Sequence, residues 1–325
     1  MDFCAVPATD LRLSRLVLGT MTFGDTVDAD TAAAMLSIAE EAGITMLDTA
    51  NGYAGGAAEK ILGDLLTGRR ERFLLASKVG IPHPDADGEP PLSRGAIRRC
   101  LDGTLRRLRT DHLDVYYLHQ PDRQTPIEET LDELAAQVAA GRVRHVGLSN
   151  FAAWQISETR RVAERMGGPL PVLSQVLYNL VGRGIEAEYA EYATTTGLRT
   201  VTYNPLAGGL LTGRHRYGRV PGTGRFGTSR LSEMYRNRYW DSALFDATRR
   251  LSLVADEAGL SLPELAFRWL LSQPVTSAVL LGASNPAQLT ANLVACAGGP
   301  LPPETLKSCD EVWLGLRGPA PAYNR

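Results

Sequence analysis

The chain predicts an α/β fold, a closed barrel of eight parallel strands alternating with helices. Three observations predict it. Eight short apolar runs bounded by turn residues recur along the 325 residues, segments with helical spacing separate them, and no Pro/Ser linker or composition shift divides the chain. The whole chain, 1–325, therefore reads as one domain. Its length is typical of a barrel carrying insertions.

The strand runs are 16–19, 44–48, 73–79, 113–119, 145–149, 173–178, 200–204 and 278–282. Between the first two, 30–43 has apolar spacing near 3.6 and ends in Gly43, a residue suited to a helix C-terminus. A helical pattern starts at Ala57. Ser93 is a fitting N-cap for the segment reaching Leu108, and Pro126 stands where a first helical turn tolerates it, ahead of 127–140. Two stretches depart from a plain repeat. Segment 208–240, after the seventh strand, is long, rich in Gly and Arg and aperiodic, which points to a functional loop. Beyond Pro300 come a helix-like segment, 303–316, and the irregular ending RGPAPAYNR, and both departures are expected over the barrel mouth.

A hydrophobic content of 44%, a charged content of 22% and a net charge of -2 are those of an ordinary globular protein. No basic footprint suggests nucleic acid or an anionic membrane. The first residues lack a leader pattern and no apolar run is long enough to span a bilayer, so a cytoplasmic location is expected. Cys4, Cys100, Cys296 and Cys309 are far apart, and the five histidines form no HxxxH or HxH. Neither a disulfide nor a metal is expected.

The segment from Leu47 to Gly63, LDTANGYAGGAAEKILG, ends a strand on Asp48 and puts Tyr53 on the loop that follows. In barrels of this kind the loops after the strand C-termini form the catalytic face. FLLASKV places Lys78, and LDVYYLHQPD places His119, at two other strand ends. Singly each has a plain explanation: Asp48 as a turn cap, Lys78 as a snorkelling lysine, His119 as a satisfied core histidine. Four such groups at one face are harder to dismiss.

With these residues the sequence resembles the aldo-keto reductases. LDTANGYAGGAAEKILG, ASKV and YYLHQPD carry the likeness, together with LVLGTMTFG, GLSNF, YNPLAGGLLTG and LLGASNPAQLTANL, in order over nearly the whole chain. The resemblance implies a (β/α)8 TIM barrel that reduces aldehydes and ketones with NADPH. It implies the tetrad Asp48, Tyr53, Lys78 and His119. Hydride delivered to a carbonyl carbon builds charge on its oxygen, which needs stabilisation and a proton. Tyr53 is the expected acid, Lys78 the ammonium expected to lower its pKa from about 10, Asp48 the partner of Lys78, and His119 the group that orients the carbonyl.

The resemblance also implies the cofactor contacts. Ser149, Asn150 and Gln175 would hold the nicotinamide carboxamide, and Tyr203 would stack on its ring. Asn204, Pro205 and Leu206 would start the loop beneath the pyrophosphate. Arg214 and Arg225 are the expected partners of the 2′-phosphate, by the bidentate fit of guanidinium to phosphate. Ser284, Gln288 and Asn292, in GASNPAQLTAN, would hold the adenine end, and Gly19, Thr20, Met21, Asp48, Gly208 and Gly282 are further cofactor contacts. GTGRFG, at 222–227, matches a dinucleotide fingerprint in letters only, because it follows a polar loop and opens no βαβ unit.

Within the family the likeness is closest to the branch that reduces aflatoxin aldehyde and succinic semialdehyde, through PDRQTPIEETL, FAAWQISE, SEMYRNRYW and the ending AYNR. It implies that Arg238 and Arg325 clamp a substrate carboxylate. Met21, Phe23, Tyr53, His119, Phe151 and Trp240 are the expected pocket lining, and a dimer is implied. Segment 81–92 has no such likeness although it borders the site. Two other functions stay open: a cofactor-binding regulatory subunit resembling potassium-channel β subunits, and a reductase of sugars or natural-product ketones.

Overall fold

In a computed structural model that describes residues 1–319, eight parallel strands close into a barrel. In chain order two short strands, β1 (Phe3–Ala5) and β2 (Arg12–Ser14), come first. The barrel strands are β3 (Leu16–Gly19), β4 (Met46–Asp48), β5 (Leu74–Val79), β6 (Leu113–Leu118), β7 (Val143–Ser149), β8 (Pro171–Leu177), β9 (Arg199–Tyr203) and β10 (Thr276–Leu281). Each pairs with its sequence neighbour, and β10 closes the ring by pairing with β3. The structure is the barrel predicted from the strand count.

Around it lie α1 (Ala29–Glu41), α2 (Ala57–Leu65), α3 (Arg94–Leu108), α4 (Ile127–Ala139), α5 (Ala153–Met166), α6 (Tyr189–Thr196), α7 (Ser232–Tyr239), α8 (Ser242–Glu257), α9 (Leu262–Ser272), α10 (Pro286–Cys296) and α11 (Pro303–Arg317). Local chemistry sets several of their ends. The Ser93 side chain accepts from the Ala96 N–H and starts α3, Pro126 precedes α4, and Gly43 follows α1 at a φ of +78°.

Side chains alternate along each strand, so one set fills the barrel and the other meets the helices. Val17, Met46, Ala76, Val115, Tyr117, Leu173, Val201 and Ala278 form the inner set. Leu16, Leu18, Leu47, Leu75, Tyr116 and Leu118 belong to the outer core under the helices. That alternation positions the site. Asp48, Lys78, His119, Gln175 and Tyr203 each stand two residues beyond a member of the inner set, at the end where the strands finish.

Two features were not foreseen. The antiparallel pair β1–β2 is too short to show periodicity, and the Val6, Leu11 and Leu13 side chains associated with it are buried with the inner barrel set, so the pair covers the end opposite the strand C-termini. Segment 208–240 is not structureless either. It contains α7, whose buried face is only Tyr235 and Tyr239, one turn apart and surrounded by polar residues that mask the helical pattern. The C-terminal helix α11 packs along α8, and its Asp310 pairs with Arg183 in the connection after β8 at 2.8 Å. Residues 320–325, including Arg325, lie outside the described residues. No described helix is long and apolar enough to cross a membrane, and all four cysteines are free.

Candidate active site

The strand C-termini open into a cavity of about 660 Å³. Asp48 ends β4, Lys78 is next to last on the adjacent β5, and both are fully buried. The Lys78 ammonium donates to an Asp48 carboxylate oxygen, to the Thr49 carbonyl at 2.8 Å and to the Tyr53 hydroxyl at 3.2 Å. The other Asp48 oxygen accepts from Gln175 Nε2 at 2.8 Å. Every donor of the ammonium is thus directed at an oxygen, which is what a buried cation requires. Burial works against that cation, and Asp48 and Tyr53 more than offset it, leaving the Lys78 pKa raised.

Tyr53 is carried on a tight turn, Tyr53–Gly56, in which Ala54 and Gly55 adopt left-handed backbone. Its phenol lines the cavity; Lys78 does not. Burial raises the phenol pKa, Lys78 pulls it down, and Asp48 adds to the rise, so the net direction is upward. This corrects the expectation that Lys78 brings the phenol below its usual value: desolvation outweighs the ammonium, which limits the rise. The His119 ring stands edge-on to Tyr53, with centroids 6.0 Å apart, and its Nδ1 has no partner among the described residues. Burial, then the nearby Lys78, lowers its pKa to about 3, so the imidazole is neutral at physiological pH.

The remaining wall brings together most of the residues singled out for a cofactor. Gly19, Met21, Ser149, Asn150, Gln175, Tyr203, Asn204, Pro205, Leu206, Gly208, Arg214, Arg225, Gly282, Ser284, Gln288 and Asn292 all line the cavity. Asn150 and Asn204 follow directly on β7 and β9 with φ of +61° and +59°, a backbone state Asn tolerates better than most residues. The Tyr203 hydroxyl donates to Asn150 Oδ1 at 2.5 Å. Arg225 donates to the Tyr235 hydroxyl at 2.6 Å, and that hydroxyl to Asn204 Oδ1 at 3.2 Å. At the other end the Ser284 N–H meets Gln288 Oε1 at 3.0 Å, where α10 begins. Thr20 is the exception: its hydroxyl is engaged by the Asp48 carbonyl and it does not reach the cavity.

The expected substrate lining divides. Met21, Tyr53, His119 and Arg238 face the cavity; Phe23, Phe151 and Trp240 do not. Phe23 and Phe151 are buried in the outer core, and Trp240 sits in an aromatic cluster 5.0 Å from Phe226 and 4.9 Å from Phe245. Apolar packing, the plainer explanation for an isolated aromatic, wins at these three. Sequence reasoning missed Ile81, Gln120 and Tyr235, which line the wall. The first two follow shortly after strand ends, and the third lies inside SEMYRNRYW.

A family model described as Aldo/keto reductase family matches residues 15–314. The chain belongs to the aldo/keto reductase family. Among its relatives, this aldo/keto reductase is 36% identical over 322 residues to the aflatoxin B1 aldehyde reductase member 2 of Rattus norvegicus, covering 95% of this chain and 87% of that one. It is 36% identical to the human aldo-keto reductase family 7 member A3, over 95% of this chain and 96% of the relative. It is also 35% identical to a probable voltage-gated potassium channel subunit beta of Oryza sativa subsp. japonica, over 96% of each. The protein is an oxidoreductase that uses a nicotinamide cofactor. The cavity fits that group: Arg214, Arg225 and Arg238, which form no ion pair among the described residues, the glycines of its lining, and Asn204 Nδ2, which has no partner among the described residues, make a polar cradle.

Proposed function

We propose that this enzyme reduces aldehydes to alcohols with NADPH, with Tyr53 as the general acid. One observation carries the proposal: the cavity-facing Tyr53 hydroxyl lies 3.2 Å from a buried Lys78 ammonium that is itself held by Asp48. When bound, NADPH supplies the hydride that reduces the carbonyl carbon. Ser149, Asn150, Gln175 and Tyr203 would hold its nicotinamide, Asn204 to Leu206 and Gly208 its pyrophosphate, Arg214 and Arg225 its 2′-phosphate, and Ser284, Gln288 and Asn292 its adenine end.

The chain's own work is on the carbonyl oxygen. Neutral His119 donates a hydrogen bond that orients it. Tyr53 transfers its proton to that oxygen as charge develops, and Lys78 stabilises the phenolate left behind. Desolvation leaves the Tyr53 phenol protonated at neutral pH, and the Lys78 ammonium limits the rise in its pKa. Arg238, on the cavity wall, suits a substrate with a carboxylate at its far end, such as succinic semialdehyde, since a guanidinium pairs with a carboxylate in two parallel hydrogen bonds.

The test is NADPH oxidation with succinic semialdehyde and 4-nitrobenzaldehyde, using wild type and Tyr53→Phe. The proposal expects turnover that falls by roughly 10²- to 10⁴-fold in the variant, with NADPH affinity kept. Undiminished turnover would exclude Tyr53 as the acid. The likeness to the rice potassium-channel β subunit favours a second reading, a cofactor-sensing subunit. Tight NADPH binding without turnover of either aldehyde would support it.

A further inference from the structure

Behind the cavity wall, among the helices, lies a carboxylate that this mechanism does not use. Glu59 on α2 is fully buried. Its Oε1 accepts from Ser77 Oγ on β5 at 2.6 Å and from Thr104 Oγ1 on α3 at 3.0 Å. Its Oε2 accepts from Arg107 Nε on α3 at 2.8 Å, and Arg107 continues to Asp85, in the connection after β5, at 2.7 Å. A carboxylate is costly to bury, and these partners offset the loss of water.

The partners tie together the two residues whose spacing matters. Ser77 is the strand neighbour of Lys78, and alternation sends its side chain outward to Glu59 while Lys78 points inward to Asp48. The turn bearing Tyr53 ends at Gly56, which has a φ of +92°, and a Cβ there would stand 3.0 Å from Cδ and Nε of Arg107. The Arg107 side chain therefore lies directly against that turn. One Glu59 oxygen holds the strand of Lys78, and the other holds the side chain that supports the turn of Tyr53.

We infer that Glu59 is a positioning residue that sets the spacing between Tyr53 and Lys78. The inference rests on the reading of Tyr53 as the acid. Proton transfer depends steeply on this geometry, and a displacement on the order of 1 Å can cost about 10²-fold in rate.

The experiment compares Glu59→Gln, Ser77→Ala and Ser77→Thr with wild type and Tyr53→Phe in the full chain. It measures kcat and KM for 4-nitrobenzaldehyde, NADPH affinity by fluorescence, thermal melting, and the isotope effect with cofactor deuterated at the transferred position. For Glu59→Gln and Ser77→Ala we expect kcat to fall roughly 10- to 100-fold, with a larger isotope effect as chemistry becomes limiting. KM and NADPH affinity should stay near wild type, and Ser77→Thr, which keeps the hydroxyl, should recover kcat.

A folded Ser77→Ala with wild-type kcat would overturn the inference. So would losses of kcat that only follow losses of cofactor affinity and melting temperature, since that pattern is purely structural. If Glu59→Gln fails to fold, Ser77→Ala decides alone. Tyr53→Phe with full turnover overturns the acid assignment and this inference together, whereas an inactive Tyr53→Phe beside a fully active Ser77→Ala overturns this inference only.

Discussion

The Nζ of Lys78 lies 3.2 Å from the hydroxyl of Tyr53, yet only Tyr53 faces the cavity. Lys78 is fully buried, so in the proposed mechanism it would act on the reacting atoms only through the phenol. In that mechanism the pair would divide the labour, with one residue touching the substrate and the other fixing the electrostatics.

Removing either half of the buried ion pair should therefore cost both stability and rate. Asp48→Asn leaves the ammonium without its counter-charge, and the expected loss of unfolding free energy is about 3–5 kcal/mol. Lys78→Met leaves Asp48 unpaired and removes the charge that stabilises the phenolate, so kcat should fall by roughly 10²-fold or more. Denaturant titration and steady-state kinetics on each variant check both numbers. A Lys78→Met enzyme with normal kcat would show that the phenol needs no ammonium.

The raised phenol pKa sets a pH dependence with opposite signs in the two directions. Reduction needs Tyr53 protonated, so kcat for aldehyde reduction should stay level through neutral pH and fall only above the ordinary phenol value of about 10. Alcohol oxidation needs the phenolate, so its rate should climb with pH over the same range. A fall in the reduction rate between about pH 7 and 8 would assign the proton to another group.

His119 should stay neutral across the working range, because burial and Lys78 hold its pKa at about 3 against an ordinary 6.5. Its NMR chemical shifts should not titrate between about pH 5 and 8. In the unfolded chain the same residue takes up a proton near 6.5, so its contribution to stability is present above that pH and is lost as pH falls toward 3. The melting temperature of His119→Gln should accordingly depend less on pH in that window than that of wild type. Equal dependence would place the acid sensitivity elsewhere.

Arg238→Ala should raise KM for succinic semialdehyde by roughly 10- to 100-fold, the range expected for a lost charge-assisted hydrogen bond of about 1.5–3 kcal/mol. KM for 4-nitrobenzaldehyde should change little. Equal changes would show that Arg238 serves the wall itself and not a substrate carboxylate. By the same reasoning, Arg214→Ala and Arg225→Ala should reduce the preference for NADPH over NADH. Arg225 is also bonded to Tyr235 at 2.6 Å, so its variant should lose affinity for both cofactors as well.

The sequence alone determined the strand ends and their chemistry. Asp48, Lys78 and His119 follow apolar runs whose length and boundaries are local properties, and the helix caps at Ser93 and Pro126 depend on neighbours in the chain. Closure of the barrel decided the rest. Which side of a strand faces inward depends on what packs against it, so only the folded chain shows Asp48 and Lys78 inside and Ser77 outside on Glu59. The same holds for the aromatics. Phe23, Phe151 and Trp240 look like pocket residues in one dimension, but Phe23 and Phe151 are buried in the outer core and Trp240 packs against Phe226 and Phe245, and that apolar packing is favourable and keeps them off the cavity wall. The upward shift of Tyr53 is tertiary too, because desolvation depends on every residue around the phenol while the opposing charge comes from Lys78 alone.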